Sequence, residues 1–206
     1  MPALHKSKRA VVSEFRCAEI LDAARRVFAR NGFEGATVDR IAEAAGVAKG
    51  TVYLYFPSKR EIYLEALRSG LARLSEETVR NVAAAPAPAG KIRAFIETRV
   101  RHAEENRDLV GIYYSEFGSG GPAHFNKAFR SLYLDQVKML GAILADAAAE
   151  GHIRPLRTDA AAFSICEMTR GLVVQRLFGW SKASAADDVE FLFDMVWRGL
   201  AKCTGS

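Results

Sequence analysis

The sequence predicts an all-α chain in two parts, a small basic bundle followed by a larger neutral one. Three observations carry this. Helical periodicity runs nearly unbroken through the 206 residues, and no stretch sustains the apolar–polar alternation of a strand. A connector over residues 83–90, holding Pro86, Pro88 and Gly90, divides the chain. The whole net charge of +5 lies in residues 1–60, where eleven Lys/Arg stand against six Asp/Glu; in the rest, bases and acids cancel.

The elements follow in order. A helix over 13–31 carries an apolar stripe of Ile20, Leu21, Ala24, Val27 and Phe28, and Gly32 stops it. Thr37 caps a short helix over 38–45, with Asp39 near its positive end. Gly46 breaks the chain before a helix over 49–55, and Pro57 breaks it again. Ser58 and Glu61 form a capping box that opens a long helix, apolar at Leu64, Leu67, Leu71 and Leu74. Beyond the connector, helices are expected at 91–106, 107–118, 122–150, 158–179 and 185–203. The last opens on a second capping box, Ser184 with Asp187.

Composition narrows the class. Half of the residues are apolar and 26% are charged, a globular balance rather than a disordered one. Cys17, Cys166 and Cys203 are odd in number and far apart, which argues against a disulfide framework or a paired-cysteine zinc site and for a reducing cytoplasm. No apolar run reaches the roughly 18 residues of a membrane span, so no membrane partner is expected.

Residues 37–56, TVDRIAEAAGVAKGTVYLYF, place two short helices about a glycine turn, the helix-turn-helix layout. Ile41, Ala44, Ala45, Val47, Val52 and Phe56 would lock the helices together. On a helical wheel, Gly50, Tyr53 and Leu54 fall opposite Val52, with Thr51 and Tyr55 on the flanks. A solvated helix has little reason to present such a face, whereas a helix in a DNA major groove does. Hydroxyls bond phosphates or base edges, and apolar groups meet thymine methyls. Thr37 and Lys59 each stand at a positive helix end, where a phosphate is stabilised. The tail Lys6-Ser7-Lys8-Arg9 either adds phosphate contacts or is merely solvated.

Residues 16–65 resemble the TetR family of bacterial transcriptional regulators. The resemblance is carried by Ile20-Leu21-Asp22-Ala23-Ala24, Phe28, Asn31-Gly32-Phe33, Thr37-Val38, Ile41-Ala42, Ala45-Gly46-Val47, Lys49-Gly50-Thr51-Val52-Tyr53, Tyr55-Phe56 and Lys59. It implies an N-terminal three-helix helix-turn-helix DNA-binding domain over 1–60, with a basic tail at 1–12. This is joined to a larger helical effector-binding and dimerisation domain over 61–206. Carried over residue by residue, it implies phosphate contacts at Thr37, Tyr55 and Lys59, and recognition contacts at Lys49, Gly50, Thr51, Tyr53 and Leu54. Arg40 is either a phosphate contact or a surface charge. Ala48 departs from the pattern, which often has a hydroxyl residue capping the recognition helix there.

The resemblance also implies a cavity in the larger body for a small-molecule effector. Phe95, Arg99, His102, Tyr113, Phe117, Phe129, Tyr133, Phe163 and Arg170 are candidate lining residues, with Glu116 as a further polar one. Arg170 interrupts an apolar helix and either holds an acidic head group or pairs with Glu167. The ligand expected is apolar or amphipathic. Two further helices, 158–179 and 185–203, carry more apolar surface than one protomer easily covers, which fits a homodimer. The partners expected are thus a double-stranded DNA operator, an effector and a second copy. A regulator without an effector, or an activator, remains an alternative. An enzyme is disfavoured: the histidines lack metal-ligand spacing, no GxSxG elbow exists, and the glycine-rich stretches have the wrong spacing for phosphate loops. No cofactor is expected.

Overall fold

The computed structural model describes residues 8–108, 110, 111, 114 and 127–201. Among these, eight helices and no strands are found: α1 (Lys8–Gly35), α2 (Val38–Ala44), α3 (Lys49–Tyr55), α4 (Lys59–Ala84), α5 (Pro88–Glu105), α6 (Lys127–Ala149), α7 (Thr158–Leu177) and α8 (Ala185–Leu200). The expected helix over 107–118 lies largely outside the described residues.

Caps fix the short helices. The Thr37 hydroxyl accepts from the Arg40 amide at 3.3 Å, and the Ser58 hydroxyl from the Glu61 amide at 3.2 Å. Ser184 receives the Asp187 amide at 3.1 Å and donates its own proton to the Asp187 carboxylate at 2.7 Å. Ala48 leaves the start of α3 without a side-chain cap. Two glycines supply the left-handed turns the layout demands. Gly32, at φ 66°, breaks α1 just where the stop is expected, and Gly46, at φ 65°, makes the turn between α2 and α3.

The expected connector is shorter than its composition suggests. Pro88 is the first residue of α5, where its fixed φ is already helical and its missing N–H costs nothing. Only residues 85–87 remain between α4 and α5, and Gly90 lies inside the helix. Similarly, α1 begins at Lys8 rather than at residue 13.

Two apolar cores result. The first joins Ile20, Phe28, Ile41, Val52, Ile62 and Leu67. Phe28, Phe33 and Tyr63 pack edge-on or offset within it, at 4.9–6.1 Å between centroids. It draws on the first turns of α4, past the expected division at residue 60. The second core joins Ile92, Phe95, Leu140, Leu144, Ile165 and Val196 from α5, α6, α7 and α8. Helix α4 thus has one end in the first core and, at Val82, the other end in the second. Polar ties fasten its middle. The Asn81 amide donates to Thr98 at 2.9 Å, Arg101 to Glu77 at 2.7 Å, and Gln136 to Ser75 at 2.7 Å.

Candidate nucleic-acid interface and effector cavity

Helix α3 sorts its residues by face. Val52 is 0% exposed and holds α3 against the first core, while Tyr53 is 46% and Leu54 83% exposed. Thr51 and Tyr55 are half-buried at the edges, and Tyr55 also packs on the core. A Cβ on Gly50 would meet nothing within 4 Å, so nothing in the free protein requires glycine there. The outward face is therefore the small, aromatic and apolar one expected.

The cations around it are already partnered. Lys49 Nζ lies 2.9 Å from Asp39 Oδ2. The hydrogen bond to that carboxylate, and then its charge, hold the Lys49 ammonium above its ordinary value. Arg40 donates to the Asn31 amide oxygen at 2.9 Å. Lys59, an expected phosphate contact, turns inward in the free chain. Its ammonium donates to the carbonyls of Phe33 at 2.8 Å, Ala36 at 3.1 Å and Glu34 at 3.4 Å, and sits 4.4 Å over the Phe33 ring. The orphan carbonyls at the end of α1 draw it there. Two residues that the sequence reading did not single out join this surface. Exposed Arg26 and Arg30, one turn apart on α1, line a shallow concavity with Arg40. Their i, i+4 spacing was the available signal.

In the body, an open-mouthed cavity lies between α4, α5, α6 and α7, with Val110 and Tyr114 also on its wall. Of the candidate lining residues, Arg99, His102, Tyr133 and Arg170 lie on its wall. Phe95 is fully buried beneath the Arg99 guanidinium, 5.2 Å from ring centroid to cation. Phe163 is 45% exposed on α7, and its ring meets that of Tyr133 edge-on. Neither Phe95 nor Phe163 lines the cavity. Tyr113, Glu116 and Phe117, and the Phe129 side chain, lie outside the described residues. Leu71, Leu74 and Ser75 of α4 and Gln136 of α6 were missed. A stripe of leucines reads as core from sequence, and here it also forms a wall.

Arg170 does pair with Glu167, through bonds of 2.6 and 2.9 Å, and the Tyr133 hydroxyl donates to the same carboxylate at 2.7 Å. Burial works to raise the Glu167 carboxyl, but Arg170 and Tyr133 outweigh it and hold it below its usual range. Burial, and then the bond to Glu167, push the Tyr133 hydroxyl well up, so it stays a donor. Burial also holds the His102 imidazole below its ordinary value, against the opposing pull of Glu77. The cavity at neutral pH therefore offers a neutral histidine, one ion pair and the cation of Arg99.

Large apolar side chains are exposed elsewhere on the body. Phe163, Met168, Phe178, Trp180, Phe191 and Met195 are all exposed, on α7, α8 and the turn between them. Among the described residues, no helix is long and apolar enough to cross a membrane.

Comparisons with known proteins match two stretches of the chain. Residues 20–66 match the family described as bacterial regulatory proteins, tetR family, and residues 85–174 match the tetracyclin repressor-like C-terminal domain. The transcriptional repressor AcnR of Corynebacterium efficiens is 43% identical over 63 residues, 31% of this chain and 34% of that protein. The match thus spans about a third of that relative's length. The repressor KstR of Mycobacterium tuberculosis is 26% identical over 185 residues, 89% of this chain and 79% of that protein. The crystal structure of the regulator FadR from Bacillus subtilis in complex with stearoyl-CoA shares the fold, with a TM-score of 0.75 at 21% identity, over 89% of this chain and 98% of that one. With both halves matched in order along the sequence, the chain belongs to the TetR family of bacterial regulatory proteins.

Proposed function

We propose that this chain is a cytoplasmic, homodimeric transcriptional repressor that binds a palindromic DNA operator and is released by a small apolar or amphipathic effector. The observation that carries the reading is the outward face of α3, with Tyr53 and Leu54 exposed on a helix whose Val52 is locked into the core. Each protomer lays α3 in a major groove, with half-sites about 34–36 Å apart. Gly50, Thr51, Tyr53 and Leu54 face base edges, while Thr37, Arg40, Lys49 and Tyr55 meet phosphates. Lys59 supports them from behind by holding the end of α1 against the start of α4.

The body, residues 61–206, holds the effector and the second copy. The FadR structure captured with stearoyl-CoA supports a cavity ligand with a long apolar part. The exposed aromatic face of α7 and α8 supports a two-fold pairing of those helices. The effector loosens DNA binding only by its differential affinity for the two arrangements of the dimer.

Fluorescence anisotropy on DNA upstream of the chain's own gene, against scrambled DNA at two salt concentrations, tests this. Tight, sequence-preferring and salt-weakened binding is expected. Binding indifferent to sequence on every fragment tried, with and without candidate effectors, overturns the reading.

A further inference from the structure

Two side chains of the cavity wall each bury a polar atom that has no partner. His102 is 7% exposed and Gln136 is 6% exposed. Among the described residues, His102 Nε2 and Gln136 Oε1 are the buried side-chain atoms left without a hydrogen bond. Both residues line the cavity. Buried polar atoms are normally satisfied, so one unpaired atom on α5 and one on α6 ask for something that fills them.

The other end of each side chain fixes what is missing. Gln136 Nε2 donates to the Ser75 hydroxyl at 2.7 Å, which leaves the amide oxygen unpaired. His102 Nδ1 lies 3.2 Å from Glu77 Oε2. Arg101 holds Glu77 ionised, so that carboxylate only accepts, and the proton of the neutral imidazole sits on Nδ1. Nε2 is then a bare lone pair. Both empty positions are acceptors, and each calls for a donor. Opposite in character is Arg99, a guanidinium that also lines the cavity and pairs with no carboxylate among the described residues, whereas Arg170 is tied to Glu167. The remaining wall is apolar at Leu71, Leu74, Leu132 and Val173, with Tyr114 and Tyr133 beside them.

We propose that the cavity takes a hydroxylated apolar carboxylic acid, its carboxylate on Arg99 and its hydroxyl proton donated to His102 Nε2 or Gln136 Oε1. A second hydroxyl or a retained water serves the other acceptor. This rests on the reading of the cavity as the effector site and specifies its ligand. The same two residues fasten α4 through Ser75 and Glu77, and α4 enters the first core at Ile62, Tyr63 and Leu67. A ligand hydroxyl therefore bonds to the side chains that clamp the helix linking body and head.

The test is displacement of the fluorescent probe 1-anilinonaphthalene-8-sulfonate by decanoate and by 3-hydroxydecanoate, on the full chain. Leu74→Trp, which fills the cavity, identifies the probe signal that belongs to it. The hydroxylated acid is expected to bind about tenfold more tightly than decanoate. That preference should shrink to within about threefold in His102→Leu and in Gln136→Leu, with decanoate itself little affected. Should either variant fold poorly, the ¹⁵N resonance of His102 Nε2 in the unmodified protein gives a second readout. It should move from the bare-acceptor position on adding 3-hydroxydecanoate and not on adding decanoate.

Equal binding of the two acids means that water serves both acceptors and overturns the proposal. A preference that survives both substitutions overturns it too. If the probe occupies the cavity and neither acid displaces it, the ligand class is wrong while the effector site stands. If Leu74→Trp leaves the probe signal unchanged, the effector-site reading fails and takes the proposal with it.

Discussion

Lys49 Nζ lies 2.9 Å from Asp39 Oδ2, so the one cation of α3 is tied to an acid of the helix before it. Both side chains are well exposed, and a phosphate can take the place of the carboxylate. The exchange costs the Lys49–Asp39 pair and leaves Asp39 near the DNA backbone. Asp39→Asn should therefore bind operator several-fold more tightly at low salt, with a similar salt slope. Lys49→Ala should bind more weakly, with the slope of log affinity against log salt shallower by about one. Anisotropy titrations at several salt concentrations check both, and an Asp39→Asn protein no tighter than the parent refutes the exchange.

Leu54, and to a lesser degree Tyr53, carry little packing burden in the free chain. Replacing both by alanine should leave the melting temperature within a degree or two, because exposed substitutions usually change stability by no more than about 0.5 kcal/mol. Operator affinity should fall by about 100-fold, since base-edge contacts are worth roughly 1–3 kcal/mol each. Binding to scrambled DNA should barely change. Thermal melts alongside anisotropy separate the two effects, and undiminished operator preference would show that α3 does not read the groove.

Lys59 should behave in the opposite way. Its ammonium serves carbonyls of Phe33, Glu34 and Ala36, and charge-assisted bonds of this kind are worth about 1.5–3 kcal/mol together with what they leave unpaired. Lys59→Ala should lower stability by about that range, because the α1 carbonyls lose their donor. The salt slope of DNA binding should stay as it was. Urea unfolding and salt titration check this pair of outcomes. Unchanged stability with a shallower slope would return Lys59 to the role of a phosphate anchor.

Most of this fold is legible locally. Thr37, Ser58 and Ser184 announce helix starts because a side-chain oxygen next to an orphan amide acts over one turn. Gly32 and Gly46 announce breaks because few other residues take a positive φ. The outward face of α3 is equally local, since a helical wheel needs only seven residues. What could not be read depends on distant chain. Lys59 finds its carbonyls 23–26 residues away, and Gln136 meets Ser75 across 61 positions. The same distance hid the role of Leu71 and Leu74, whose periodicity fits a core and a cavity wall alike. Pro88 misled for a different reason, as proline marks a linker and a first helical turn with equal force.

His102 makes stability depend on pH in a predictable direction. Burial holds its folded-state value below the ordinary 6.5, although Glu77 pulls the other way. The unfolded chain therefore takes up the proton first. Stability is fully present above pH 6.5 and declines as pH falls through the lowered folded-state value. Glu77, held low chiefly by its bond from Arg101, adds a decline of the same sign below its ordinary 4.5. Urea midpoints between pH 7.5 and 5 should fall, and His102→Gln should flatten that part of the profile. A midpoint that rises on acidification would reverse the assignment.

The apolar face of α7 and α8 sets the last expectation. Phe191 is 68% exposed in the protomer, and Phe163, Phe178 and Trp180 are open as well. Patches of this kind on a folded chain mark an interface, and its large aromatic residues usually dominate the energy. Phe191→Glu should raise the dimer dissociation constant by about 100-fold, because truncating or charging such an anchor costs 2 kcal/mol or more. Light scattering after gel filtration should then show protomers at micromolar concentration. Operator binding should weaken with it, since two α3 helices held about one DNA turn apart require the dimer. A Phe191→Glu protein that stays dimeric, and still binds both half-sites, would move the interface to another face of the molecule.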